Sequence, residues 1–186
     1  KQAAKQELGK KPRPQATGAV PAPVSHVLNP QQSAAVTAEE LENQLFKDVL
    51  ASCETPYDAD ETGRTTNLEL ACKAIDGLVL QPGDVFSYND TLGERTEEKG
   101  YQLGPSYVNG EVVQEIGGGI CQVSSTLYNC VLTADLEVLE RENHMFYPGY
   151  VDPGLDCAVN WGTLDFRFRN SSGHAIRIEA SLDGYN

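Results

Sequence analysis

Long apolar runs are missing from this sequence: nothing in it approaches the roughly 20 consecutive hydrophobic residues that cross a bilayer. It also lacks the apolar segment of an uncleaved signal peptide. The expectation is therefore no membrane insertion by this chain, with any signal or anchor of an exported form lying outside it. Positive charge is scarce. Five of the fourteen basic residues (Lys1, Lys5, Lys10, Lys11 and Arg13) crowd the first thirteen positions, and the formal net charge is −13. So acidic a body repels nucleic-acid phosphates and anionic lipid. Zinc-finger, nucleotide-binding and helix-turn-helix patterns are absent too, so nucleic acid is excluded as the expected partner. The five cysteines include no CxxC pair, which leaves a zinc knuckle or a thioredoxin-like dithiol without support. No metal and no organic cofactor is called for.

What is present suffices for one hydrophobic core: 186 residues, 40% of them hydrophobic and 22% charged. Residues 1–36 read as a flexible N-terminal tail, first basic and then rich in Ala, Pro, Gln and Ser. The folded domain is expected over 37–186. Thr37 and Glu40 have the spacing of a capping box, ahead of an apolar stripe at Leu41, Leu45, Phe46, Val49 and Leu50. A second helix is expected from about Thr66, with Leu68, Ala71, Cys72 and Ile75 inward and Gly77 as its stop. Pro82-Gly83-Asp84 predicts a turn before a strand at Val85–Tyr88, and Val112 and Val113 a short strand. Val123, Leu127, Cys130 and Val131 predict a helix after Cys121. Strands are expected at 136–141 and around Leu164, Phe166 and Phe168, the latter pairing with 175–182 as a C-terminal hairpin. The order predicts a single α+β domain, helices packed on a mainly antiparallel sheet.

The sharpest chemical feature is Gly117-Gly118-Gly119-Ile120-Cys121-Gln122. Glycines allow a tight turn and the close approach of another molecule, and a helix start favours a thiolate. Cys121 is thus a candidate nucleophile. His144 is the candidate base, and Asp165 the group that orients it, with Asp156 as competitor. Gln122 and the amides around Gly118 and Gly119 are candidate oxyanion donors. Arg64 and Arg141 are candidates for holding a substrate carboxylate. Tyr147, Tyr150 and other aromatics are candidates to line a peptide or saccharide groove. The plainer alternative makes the glycine run a tight turn before a packed cysteine, with His144 and Asp165 serving structural hydrogen bonds. For the odd cysteine count, two disulfides and one free thiol fit an oxidising compartment, while five reduced thiols fit a reducing one. Cys121 and Cys130 lie two and a half helical turns apart and are expected on opposite faces. The count alone leaves the pairing open.

Several segments resemble the VanW family of bacterial envelope proteins, associated with some vancomycin-resistance clusters. They include Arg64-Thr65-Thr66-Asn67-Leu68, Gln81-Pro82-Gly83-Asp84-Val85-Phe86-Ser87, Gly93-Glu94-Arg95-Thr96 and Gly117 through Asn129. Glu140 through His144, Asp152 through Asp156 and Leu164 through Asn170 complete the order. The resemblance implies that Cys121 is the characteristic cysteine, with Arg64, Gln122, His144, Asp156 and Asp165 on matching positions. It also implies that Cys53, Cys72, Cys130 and Cys157 are additions, suggesting disulfides Cys53–Cys72 and Cys130–Cys157. It implies an extracytoplasmic setting, in a Gram-positive envelope or secreted, and a cell-wall peptide or glycan as partner. The order Cys, His, Asp invites a fold-level analogy with papain and transglutaminase. Two functions follow as expectations: a cysteine-dependent acyl transfer or amide hydrolysis on peptidoglycan peptides, or a noncatalytic peptidoglycan- or glycopeptide-binding or structural envelope module. The oligomeric state stays open.

Overall fold

The computed structural model describes residues 45–108 and 110–184. The expected tail at 1–36 and the capped helix start at Thr37 lie outside them. Beyond Leu45 the expected first helix does not continue: residues 46–50 are irregular, and Val49 and Leu50 are exposed. An apolar stripe without a partner surface gains nothing from helical spacing.

The longest helix among the described residues, α1 (Thr62–Ile75), starts four residues before the expected position. The reason is local. Thr66 does not cap; its hydroxyl donates to the Thr62 carbonyl at 3.0 Å, inside the helix. The inward set is as expected, with Leu68, Ala71, Cys72 and Ile75 buried, and Gly77 turns the chain at φ +75°. Then come β1 (Val79–Leu80), β2 (Val85–Ser87) and a short helix α2 (Tyr88–Leu92), capped by the Ser87 hydroxyl on the Asp90 amide. The strands β3 (Leu103–Val108) and β4 (Glu111–Ile116) form a hairpin, followed by α3 (Cys121–Thr133), β5 (Glu137–Glu140), β6 (Arg167–Arg169) and β7 (Ile176–Arg177).

All strand pairing among the described residues is antiparallel. β2, β6 and β5 form a three-stranded sheet, while β1–β7 and β3–β4 are separate pairs. The expected C-terminal hairpin does not form: β6 pairs with β2 and β5, and Ile176 faces Leu80. Asn170 explains the break. Its buried side chain donates to the carbonyls of Leu80 and His174, which ends β6 and sends the chain to β1 instead. The alternation at 164–169 survives in burial. Phe166 and Phe168 are buried with Phe86 at centroid distances of 6.5 and 5.0 Å, and Tyr128 of α3 meets Phe166 at 5.7 Å. This aromatic cluster seats α3 on the sheet. The architecture is an α+β domain with helices on antiparallel sheet. No helix among the described residues is long and apolar enough to cross a membrane.

Candidate functional site

The glycine run is built against two neighbours. A side chain at Gly118 would overlap the Gly104 carbonyl, and Gly119 adopts φ +98° with Arg64 packed on it. Asn67, fully buried in α1, locks the turn: its amide donates to Gly118 O and Gln102 O at 2.9 Å, and its carbonyl accepts from Gln102 N. The turn delivers Cys121 as the first residue of α3, whose N-cap Ile120 supplies no side-chain bond. The helix-start amides of Gln122 and Val123 are engaged, donating to Gly119 O and Ile120 O at 3.0 Å.

Around Cys121 the chain folds back through residues 141–159. The thiol meets the backbone of Val159 at 3.5 Å to both N and O. The two serines that follow hold this return segment. Ser124 Oγ donates to Cys157 O at 2.7 Å, and Ser125 Oγ accepts from Cys157 N at 2.8 Å. Both serines are fully buried. Their part was missed from sequence, although two adjacent hydroxyls on the first turn of a buried helix are a signal that some backbone must come to meet them.

His144 comes to the same place. Its Nδ1 pairs with Asp156 Oδ2 at 2.8 Å, its backbone amide donates to that oxygen at 2.6 Å, and Cys121 is near enough to act on the imidazole. With Nδ1 on the carboxylate, Nε2 is the nitrogen left for the sulfur. Burial works to lower the imidazole pKa, but Cys121 and Asp156 together outweigh it and raise the value. Burial likewise works to raise the Asp156 carboxyl, and the His144 hydrogen bonds with the His144 and Arg141 charges hold it below its ordinary value.

Asp156, not Asp165, is therefore the carboxylate on His144. Asp165 is spent elsewhere: it accepts from Ser87 Oγ at 2.6 Å and from the amides of Asn89 and Phe166 at 2.8 Å, fastening α2 to the sheet. Arg141 is also committed. Its guanidinium pairs with Asp156 Oδ1 at 3.1 Å, donates to the carbonyls of Gly154 and Asp156, and stands 5.1 Å over the Tyr128 ring. It holds Asp156 in place. Gln122 is buried and well bonded: its amide donates to Thr55 Oγ1 and Pro56 O, and its carbonyl accepts from Arg64. Arg64 also pairs with Glu61 at 3.5 Å. In this arrangement the Gln122 amide and both terminal nitrogens of Arg64 have partners within the protein.

Tyr150 closes the site. Burial raises its hydroxyl pKa, followed by the Cys121 charge, while a Ser125 hydrogen bond and the Arg64 charge act the other way. It also lines an open groove of about 380 Å³ with Tyr147, Thr126, Asn129, Asp152 and Leu155. No group of three or more His, Cys, Asp or Glu side chains among the described residues is placed to hold a metal. All five cysteines are free thiols. Cys53, Cys72 and Cys130 line one cavity, Cys130 lies within the influence of Cys53, and Cys157 is buried within the field of Cys121.

The family model described as VanW like protein matches residues 63–186, a span that holds the glycine turn, Cys121, His144 and Asp156. The chain belongs to the VanW family. It is 44% identical over 130 residues to the uncharacterized protein YoaR of Bacillus subtilis, covering 70% of this chain and 43% of that one. It is 28% identical over 129 residues to the vancomycin B-type resistance protein VanW of Enterococcus faecalis, covering 66% and 46% respectively. This VanW-family chain thus spans less than half the length of either relative. No solved structure matches it significantly, so the analogy with papain- and transglutaminase-like folds has no structural support.

Proposed function

We propose that this VanW-family domain carries out cysteine-dependent acyl transfer or amide hydrolysis on a cell-wall peptide. One observation carries the reading: His144 Nδ1 pairs with Asp156 at 2.8 Å, Arg141 holds that carboxylate, and Cys121 is near enough to raise the imidazole pKa. In the reaction the Cys121 proton passes to His144 Nε2 and the sulfur bonds to the amide carbonyl carbon. The C–N bond then breaks, and His144 returns the proton to the departing amine. Water or an acceptor amine next attacks the thioester, gives its proton to His144, and releases Cys121. Asp156 holds the imidazole tautomer and offsets its charge. The Gly118, Gln122 and Val123 amides already donate within the backbone, so this reading assigns the oxyanion to other amides of the Gly119–Cys121 turn. Family membership and the resistance relative support a cell-wall peptide as substrate and an extracytoplasmic setting.

A second reading, a noncatalytic peptidoglycan- or glycopeptide-binding module, is favoured by one feature. The residues lining the tyrosine groove do not include Cys121, and Tyr147 and Tyr150 suit a sugar or peptide face. Limiting iodoacetamide across pH 5–9, with adducts mapped by peptide mass spectrometry, separates the two. The enzyme reading expects Cys121 to label first at low pH, with that preference lost in His144→Ala. Slow labelling of Cys121 that ignores His144, alongside saturable binding of muropeptides, would move the assignment to the binding module.

A further inference from the structure

We infer that Cys53 and Cys130 are a disulfide site that clamps the segment before α1 onto the outer face of α3. The register carries the inference. Gln122, Thr126 and Cys130 stand four residues apart on one face of α3. Along that face the chain before α1 runs in the opposite direction. Pro56 O and Thr55 Oγ1 accept from Gln122 Nε2 at 2.7 and 3.0 Å, and the Thr55 and Thr126 hydroxyls are 2.7 Å apart. Two residues further back, one helical turn further on, the same register brings Cys53 to Cys130, and both line one cavity. Burial, followed by the neighbouring Cys53, pushes the Cys130 thiol up to about 12.

Of the remaining cysteines, Cys72 lines the same cavity as Cys53 and Cys130 from the side of α1. Cys72 is buried in α1 near Asp76, and its thiol is pushed up to about 11 by burial and then by that carboxylate. Cys157 is fully buried in the field of Cys121. Cys121 lies roughly 13 Å along the helix from Cys130 and on another face. Closure takes one electron pair and two protons from the two thiols. A small-molecule or protein disulfide of the oxidising compartment accepts both and leaves as two thiols. The link would fix the segment that holds Gln122, and with it Arg64 and the glycine turn, while leaving Cys121 reduced. It does not depend on the proposed chemistry at Cys121.

The test uses the full chain, purified reduced and incubated natively with oxidised glutathione. Remaining thiols are blocked with N-ethylmaleimide, and the protein is digested without reduction for mass spectrometry. The expected product is one cross-linked peptide pair joining Cys53 to Cys130, with Cys72, Cys121 and Cys157 carrying maleimide. Oxidation should also raise Tm by on the order of 10 °C, since the link closes a long loop, and Cys53→Ser should abolish that gain. A link from Cys53 to Cys72, a link from Cys130 to Cys157, glutathione retained on Cys53, or full maleimide labelling of both thiols would each overturn the inference. The mapping is made on the unaltered chain, so it stands even if Cys53→Ser fails to fold.

Discussion

Asp156 and Asp165 are the same side chain, nine positions apart, on either side of a turn. Each accepts several hydrogen bonds, yet their surroundings differ in kind. Asp156 faces groups that carry or exchange charge, the His144 ring and the Arg141 guanidinium. Asp165 faces only neutral donors: a serine hydroxyl and two backbone amides. A carboxylate among neutral donors is a clamp, because no partner there changes charge. A carboxylate between an arginine and a histidine shares in any proton that the imidazole gains. The partners, not the residue type, separate a corner of the fold from a candidate centre of chemistry.

Substitutions break this contrast in graded steps. Asp156→Ala has the largest expected effect, because it strands Arg141 in a partly buried place and releases the His144 ring. A loss of about 3–5 kcal/mol in urea denaturation is expected, along with the low-pH labelling of Cys121. Asp165→Ala comes next, at about 2–3 kcal/mol for its three lost donors, with Cys121 labelling unchanged. A change in labelling equal to that in Asp156→Ala would erase the distinction.

The pH profile sharpens it further. His144 is raised, so its share of stability is complete below an ordinary imidazole value of about 6.5 and is lost as pH rises through the folded value. Asp156 is lowered, so its share is complete above about 4 and is lost as pH falls through its folded value. Stability from the pair should therefore peak between those limits. Urea midpoints measured from pH 3 to 9 should keep that shape in Asp165→Asn and flatten in Asp156→Asn. The smallest effect is expected on the exposed sheet face, where Arg169→Ala removes a 2.6 Å pair with Glu137. About 0.5 kcal/mol or less is expected in the same titration.

Much of the fold was legible in the residues themselves. The stripe at Leu68, Ala71, Cys72 and Ile75, the helix after Cys121 and the inward Phe166 and Phe168 are all periodic signals that burial enforces directly. The first helix was misjudged beyond Leu45, where apolar spacing meets no surface to cover. The C-terminal hairpin was misjudged because the Asn170 side chain satisfies carbonyls from two distant segments, an event that has no local period.

At the site the division is similar. The glycine turn and the cysteine at a helix start could be read from sequence because backbone conformation and the field of a helix are local consequences of residue type. His144 was within reach of the same reasoning as the one histidine at a plausible distance in the chain. The sequence could not say which carboxylate would meet it, nor that Gln122, Arg64 and Arg141 would pair with Thr55, Glu61 and Asp156. Hydrogen-bond partners are chosen by position in space, and a donor or acceptor has only a few bonds to give. Local backbone character therefore belongs to the sequence of this protein. Which polar groups remain free to act was decided only when the return segment 141–159 closed over α3.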